Sequence, residues 1–215
     1  MPSAVRRGTH VIGTTSGNGC VGMAGRLSDS AAGTDAGGAG GRLELLTDQR
    51  AKPAVPFAGV YRLIDFPLSN CLHSGIADVW VSIQFHPTSL TEHLANGRPW
   101  DLDRTTGGLL TLPPFQGTDR GGWNTGTADS LWRQADLVRA FDPDALVVVS
   151  SDAVYKLDYR EVAEAHLGSG AEVTMVTTEV APDDASRYGI VQVGEGGKVA
   201  VRRVTLGASD GGRVQ

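Results

Sequence analysis

Ala145-Leu146-Val147-Val148-Val149 is an unbroken apolar run of five residues, closed by Ser150-Ser151-Asp152. It is far shorter than the ~18 apolar residues of a membrane span. With three valines and no polar interruption, it suits a strand buried on both faces, as parallel sheets covered by helices require. A second run, Val79-Trp80-Val81-Ser82-Ile83, has the same character. Helical patterns fall between such runs. Pro87-Thr88-Ser89 opens one that carries Leu90 and Leu94. Thr127 opens another with Ala128, Leu131, Trp132, Ala135 and Val138 inward, broken by Asp142-Pro143-Asp144. Residues 159–167 predict a third, with Val162, Ala163, His166 and Leu167 inward and Gly168 at its end. Residues 171–180 predict a further strand, and 189–193 and 198–204 a pair joined by the Glu195-Gly196-Gly197 turn. Strands alternating with helices predict an α/β fold with a doubly wound, mostly parallel sheet.

The ends differ from this middle. The first 41 residues hold 11 glycines and no aromatic residue. Such a stretch offers little apolar surface to offset the entropy of ordering it. The reading is therefore a glycine-rich tail over 1–35, a folded domain over 36–204 and a flexible tail over 205–215. The net charge of −5 lacks the basic excess of a nucleic-acid-binding face. Cys20 and Cys71 have no motif spacing, and His10, His73, His86, His93 and His166 are scattered, so no metal cluster is expected from them. No export signal follows Arg6-Arg7 and no apolar run spans a membrane, so a cytoplasmic chain is expected.

Four segments carry candidate chemistry. Gly37, Gly38, Gly40 and Gly41 precede Arg42, a composition whose amides and guanidinium suit phosphate, although no Lys-Ser/Thr follows as in a P-loop. A plain linker has the same composition. Lys52 precedes Pro53, which predicts extended backbone and an ammonium that reaches a phosphate or simply solvent. Asp152 follows the run at 145–149, where open α/β sheets bind ligands beyond the strand ends. A carboxylate there suits a divalent cation shared with phosphates, or the cap of a following helix. Gly126 and Thr127 at a predicted helix start leave room for a base or a phosphate.

The order of these segments closely resembles that of the glucose-1-phosphate adenylyltransferases. The motifs are Gly37-Gly38-Ala39-Gly40-Gly41-Arg42-Leu43, Arg50-Ala51-Lys52-Pro53-Ala54-Val55-Pro56-Phe57 and Tyr61-Arg62-Leu63-Ile64-Asp65-Phe66-Pro67-Leu68-Ser69-Asn70-Cys71. Gly126-Thr127-Ala128-Asp129, Ser151-Asp152 and Ser186-Arg187-Tyr188-Gly189 follow. The resemblance implies AMP transfer from ATP to glucose 1-phosphate, giving ADP-glucose and pyrophosphate. It implies that the glycine loop and Arg42 hold the ATP phosphates with Lys52, and that Asp152 holds Mg²⁺. Gln84, Gly126 and Thr127 would lie against adenine, and Gly189 against glucose. It also implies an apolar strand before the glycine loop, where this chain has Ser30-Ala31-Ala32-Gly33-Thr34-Asp35. The expectation is an incomplete Rossmann-like fold of the sugar nucleotidyltransferase type, without a C-terminal β-helix and weak in synthesis. The alternative is a non-catalytic paralogue that binds nucleotide. Expected partners are ATP, glucose 1-phosphate, and a second copy or a full-length homologue, with neither nucleic acid nor membrane.

Overall fold

The computed structural model describes residues 10–14, 23–25, 31–35, 44–47, 49–84, 86–114, 127–179, 191–197 and 199–200. The chain divides into two compact units, Met1–Val176 and Thr177–Gln215. In the first unit, β1 (His10–Thr14), β2 (Met23–Gly25) and β3 (Ala31–Asp35) precede a hairpin of β4 (Pro56–Phe57) and β5 (Tyr61–Arg62). Then come α1 (Asp65–His73), β6 (Asp78–Ser82), α2 (Pro87–Leu94) and β7 (Gly108–Leu112). Helices α3 (Thr127–Arg133) and α4 (Ala135–Phe141), β8 (Ala145–Ser150), α5 (Tyr159–Ser169) and β9 (Val173–Val176) complete it. In the second unit, β10 (Gln192–Val193) and β11 (Val199–Ala200) pair antiparallel around a turn at Glu195–Gly197.

Six strands of the first unit form a parallel sheet in the order β7-β6-β3-β8-β1-β9, and β2 adjoins β8 antiparallel outside this order. Three of these strands lie within 1–35, the segment read from sequence as a tail. The expectation weighed side-chain burial alone. A strand flanked on both edges also gains its full ladder of backbone hydrogen bonds, and strand formation depends strongly on such context. β3 has that position, between β6 and β8. So Ala31–Asp35 occupies the place before the glycine loop, despite its small and polar residues. Residues 36–43, most of the 205–215 tail's neighbourhood and that tail itself lie outside the described residues.

The predicted buried run is β8, whose six residues are all buried, and Val79, Trp80 and Val81 of β6 pack in the same core. Leu90 and Leu94 of α2 are buried as expected. Other expectations need correction. The helix starting at Thr127 breaks at Gln134 (φ −90°, ψ 4°), dividing α3 from α4. Leu131 and Val138 keep the inward side, while Trp132 is 51% exposed. Helix α5 runs past Gly168 and ends at Gly170, whose φ of +65° suits a residue without Cβ. Strand β9 is shorter than 171–180 because its only pairing in the parallel order is with β1, which ends at the Thr14–Val176 pair. Strand β7 and the β4–β5 hairpin had no sequence expectation.

The core is aliphatic with a few rings. Phe141 at the end of α4 meets Trp80 edge-on at 5.2 Å between centroids. Phe66 of α1 takes Phe57 of the hairpin edge-on at 5.3 Å. Ile64 and Leu68 are fully buried beneath that hairpin's helix. No helix among the described residues is long and apolar enough to cross a membrane. Ile64→Ala opens a cavity at a fully buried site and is expected to lower stability by about 2–5 kcal/mol. A reduced urea midpoint with an unchanged slope is the expected reading.

Candidate functional site

The direction of chain travel across the sheet marks out one edge as a candidate site. From β3 the chain runs outward through β6 to β7, then returns to β8 on the other flank of β3. The order reverses between β3 and β8, and open α/β sheets bind ligands at the carboxyl end of such a switch point. The register makes that edge level, with Ser82, Asp35 and Ser150 as neighbours across β6, β3 and β8. Chain leaving β3 enters the glycine segment, and chain leaving β8 enters Ser151-Asp152. The chain therefore leaves β3 and β8 at neighbouring positions.

Asp152 lies in the turn after β8 with its side chain only 6% exposed. A carboxylate so buried needs partners, and both of its oxygens have one. Lys52 Nζ contacts Oδ2 as an ion pair, and the Ser150 hydroxyl donates to Oδ1. The open choice at Asp152 is thereby reduced, because the cap of α5 is Asp158. Its carboxylate accepts from the Arg160 amide at 2.8 Å.

Lys52 is delivered by the turn Lys52–Ala54. The expectation of extended backbone at Lys52 is corrected, because Lys52 is already the first residue of a helical turn. Ala51 is extended (φ −61°, ψ 144°), and Lys52 starts the turn, its carbonyl accepting from the Val55 amide at 3.0 Å. Pro53 fits there because the first residues of a helical turn have no partner for an N–H. Ala51, Pro53, Ala54 and Val55 are buried, and the Ile64 amide donates to the Pro53 carbonyl at 3.0 Å. The lysine is thus a long, partly exposed side chain on a fixed base.

Gln84 is buried just past the end of β6, where the Ile83 amide donates to the Leu112 carbonyl at 3.0 Å. The Ser82 and Ser130 hydroxyls hydrogen-bond at 2.9 Å and are both buried. That bond ties the end of β6 to α3, whose first residue is Thr127. Gln84 and the start of α3 therefore share one edge of the sheet. Gly37, Gly38, Gly40, Gly41, Arg42, Gly126 and Gly189 lie outside the described residues, as does the Thr127 side chain. Among the described residues, no group of three His, Cys, Asp or Glu is placed to hold a metal ion.

Sequence reasoning missed the supports of this site. Asn70 of α1 donates to the Tyr155 carbonyl at 3.1 Å, and the Tyr155 and Tyr159 hydroxyls hydrogen-bond at 2.7 Å. Ser74 Oγ accepts from the Tyr159 amide at 2.8 Å, and Arg160 donates to the Ser74 carbonyl at 3.0 Å. These bonds clamp the loop after Asp152 against α1. Burial pushes the Tyr159 phenol and the Cys71 thiol well above their ordinary pKa values, so both stay neutral. Only a residue-pair pattern between distant segments would have shown the clamp in the sequence.

The nucleotidyl transferase family model matches residues 36–204. The chain belongs to the nucleotidyl transferase family. Among relatives of this nucleotidyl transferase chain, the glucose-1-phosphate adenylyltransferase of Clostridium beijerinckii is 46% identical over 160 residues, 74% of this chain and 42% of the relative. That of Clostridium acetobutylicum is 44% identical over 164 residues, 76% of this chain and 43% of the relative. That of Pseudothermotoga lettingae is 48% identical over 156 residues, 73% of this chain and 37% of the relative. The match thus spans about two fifths of the length of these relatives.

Two outcomes test the clamp. Asn70→Ala is expected to raise hydrogen exchange of the amides at 153–158 while β8 stays protected. With Cys20 replaced by Ser, Cys71 is expected to resist a thiol reagent until the protein is unfolded, because a buried thiol held neutral is a poor nucleophile.

Proposed function

We propose that this chain forms the nucleotide site of a glucose-1-phosphate adenylyltransferase, moving AMP from ATP to glucose 1-phosphate. The observation that carries the reading is the meeting of Lys52 and Asp152 beside the sheet's switch point. The similarity to relatives bearing that name supports it. In the reaction, a phosphate oxygen of glucose 1-phosphate attacks the α-phosphorus of ATP. The bond from that phosphorus to the bridging oxygen breaks, and pyrophosphate leaves with the electron pair. Little covalent work falls to the protein, so positioning and charge neutralisation dominate.

The roles follow from the chemistry of each group. Amides at Gly37, Gly38, Gly40 and Gly41, with Arg42, receive the triphosphate. Lys52 adds a point charge on the same phosphates. Gln84 with Gly126 and Thr127 borders adenine, and Gly189 borders glucose. Asp152 holds Mg²⁺. The donor suits that ion: a hard carboxylate oxygen at the candidate edge of the sheet. Mg²⁺ is commonly held in this way, by one or two carboxylates plus substrate phosphates. When bound, the ion supplies charge neutralisation at the reacting phosphates. Ser150 keeps the carboxylate oriented, and the buried walls of β8 and β6 exclude water behind it.

A thermal melt with Mg²⁺-ATP or Mg²⁺-UTP tests this reading. Saturation at a hundredfold over Kd adds about 2.7 kcal/mol, roughly a 5–10 °C rise for a chain of this size. The rise is expected with ATP and not with UTP, and Asp152→Asn is expected to remove its metal dependence. An equal response to both nucleotides, or none to either, sinks the proposal. ADP-glucose formation from ATP and glucose 1-phosphate is the direct assay, in which Asp152→Asn is expected to lose about 10²–10³ in rate.

A further inference from the structure

Both oxygens of the Asp152 carboxylate are engaged, but by partners of very different freedom. Ser150, on Oδ1, is 0% exposed at the end of a strand buried on both faces. Lys52, on Oδ2, has a side chain 27% exposed, on a four-carbon stem that rises from a turn whose other residues are buried. A divalent cation that takes Asp152 meets the ammonium in its way. Two cations on one carboxylate oxygen repel, and the repulsion is strong where water is scarce. The serine has no room to leave. The lysine has room, and triphosphate oxygens give it somewhere to go.

We propose that Lys52 is the resident countercharge of Asp152 in the free protein and cedes that carboxylate to a divalent cation only as nucleotide phosphates arrive to accept its ammonium. The inference rests on the nucleotide site proposed above. Its consequence is an order of binding, in which the cation enters with the nucleotide and not ahead of it. The pair also keeps a buried carboxylate from standing uncompensated while the site is empty, a state that is strongly destabilising. Lys52 then serves twice, on the carboxylate before binding and on phosphate after it, with no backbone movement.

The test is Mn²⁺ binding, read from loss of the free-ion paramagnetic resonance signal, because Mn²⁺ takes the same oxygen donors as Mg²⁺. Wild-type protein without nucleotide is expected to bind weakly. Lys52→Met is expected to bind Mn²⁺ alone roughly tenfold more tightly. Lys52→Gln should do likewise, and Lys52→Arg should stay weak because it keeps the charge. Adding Asp152→Asn to Lys52→Met should abolish the gain. Once the Mn²⁺ held by ATP alone is subtracted, ATP should tighten Mn²⁺ binding more in wild type than in Lys52→Met. The proposal is overturned by unchanged or weaker Mn²⁺ binding in the neutral variants, by a gain that persists without the Asp152 carboxylate, or by a gain in Lys52→Arg. Loss of a cooperative melt in both neutral variants also overturns it, since a pair the fold requires is not free to exchange. If ATP fails to shift the wild-type melt, the nucleotide reading fails. The comparison of free proteins with Mn²⁺ alone still decides the role of the lysine.

Discussion

The parallel pairing of β3 with β8 is the constraint on which the rest depends. It sets Asp35 beside Ser150, so that two separate segments leave the sheet at the same level. One leads into the glycines and Arg42, and the other into Asp152. A slip of one residue would reverse the faces of β8 and turn the whole run to the opposite layer. All six residues of β8 are buried, on both of its faces, so the slip is opposed mainly at the polar edge, where it would move Ser150 out of line with Asp35 and Asp152 away from Lys52.

Around that edge, the polar groups are arranged by freedom as well as by charge. Ser82 with Ser130 and Ser150 with Asp152 are short, stiff and buried. Lys52 is long and partly exposed. Helix α1 supports both sides of the pair. Its entrance, at Ile64, accepts the Lys52 turn from behind, and Asn70 and Ser74 hold the loop that follows Asp152. The Asp65 carboxylate at the start of α1 accepts from the Arg62 amide at 2.9 Å and contacts His93 of α2, which joins the hairpin to the next helix. The long motif at 61–71 therefore acts chiefly as scaffold for residues outside it.

Much of this was legible in the sequence where one physical signal dominated. The run at 145–149 could be little other than a buried strand, and the position of Asp152 after it followed. Leu90 and Leu94 at helical spacing gave α2. Residues 31–35 were not legible, because their strand is made by neighbours on both edges and not by their own side chains. The break at Gln134 carried no glycine or proline to announce it, so Trp132 was misassigned to the interior. Lys52 and Asp152 were each found as candidates, but their contact spans distant segments and no local pattern encodes it. The same applies to the bond from the Ser150 hydroxyl to the Asp152 carboxylate.

The position of β1 bears on how the chain is made. Among the described residues, His10–Thr14 pairs with β8 and β9, at the far end of the first unit. A ribosome adds about 5–20 residues per second. His10–Thr14 therefore waits on the order of ten seconds after its own synthesis for these partners. Contacts of such long sequence separation also form slowly, since the loop-closure entropy must be met first. Throughout that interval the middle strands assemble without β1, and its backbone edges stay open to other chains. The nascent protein is accordingly most exposed to aggregation before its native sheet closes, and a chaperone that shields β1 would act where the delay is longest.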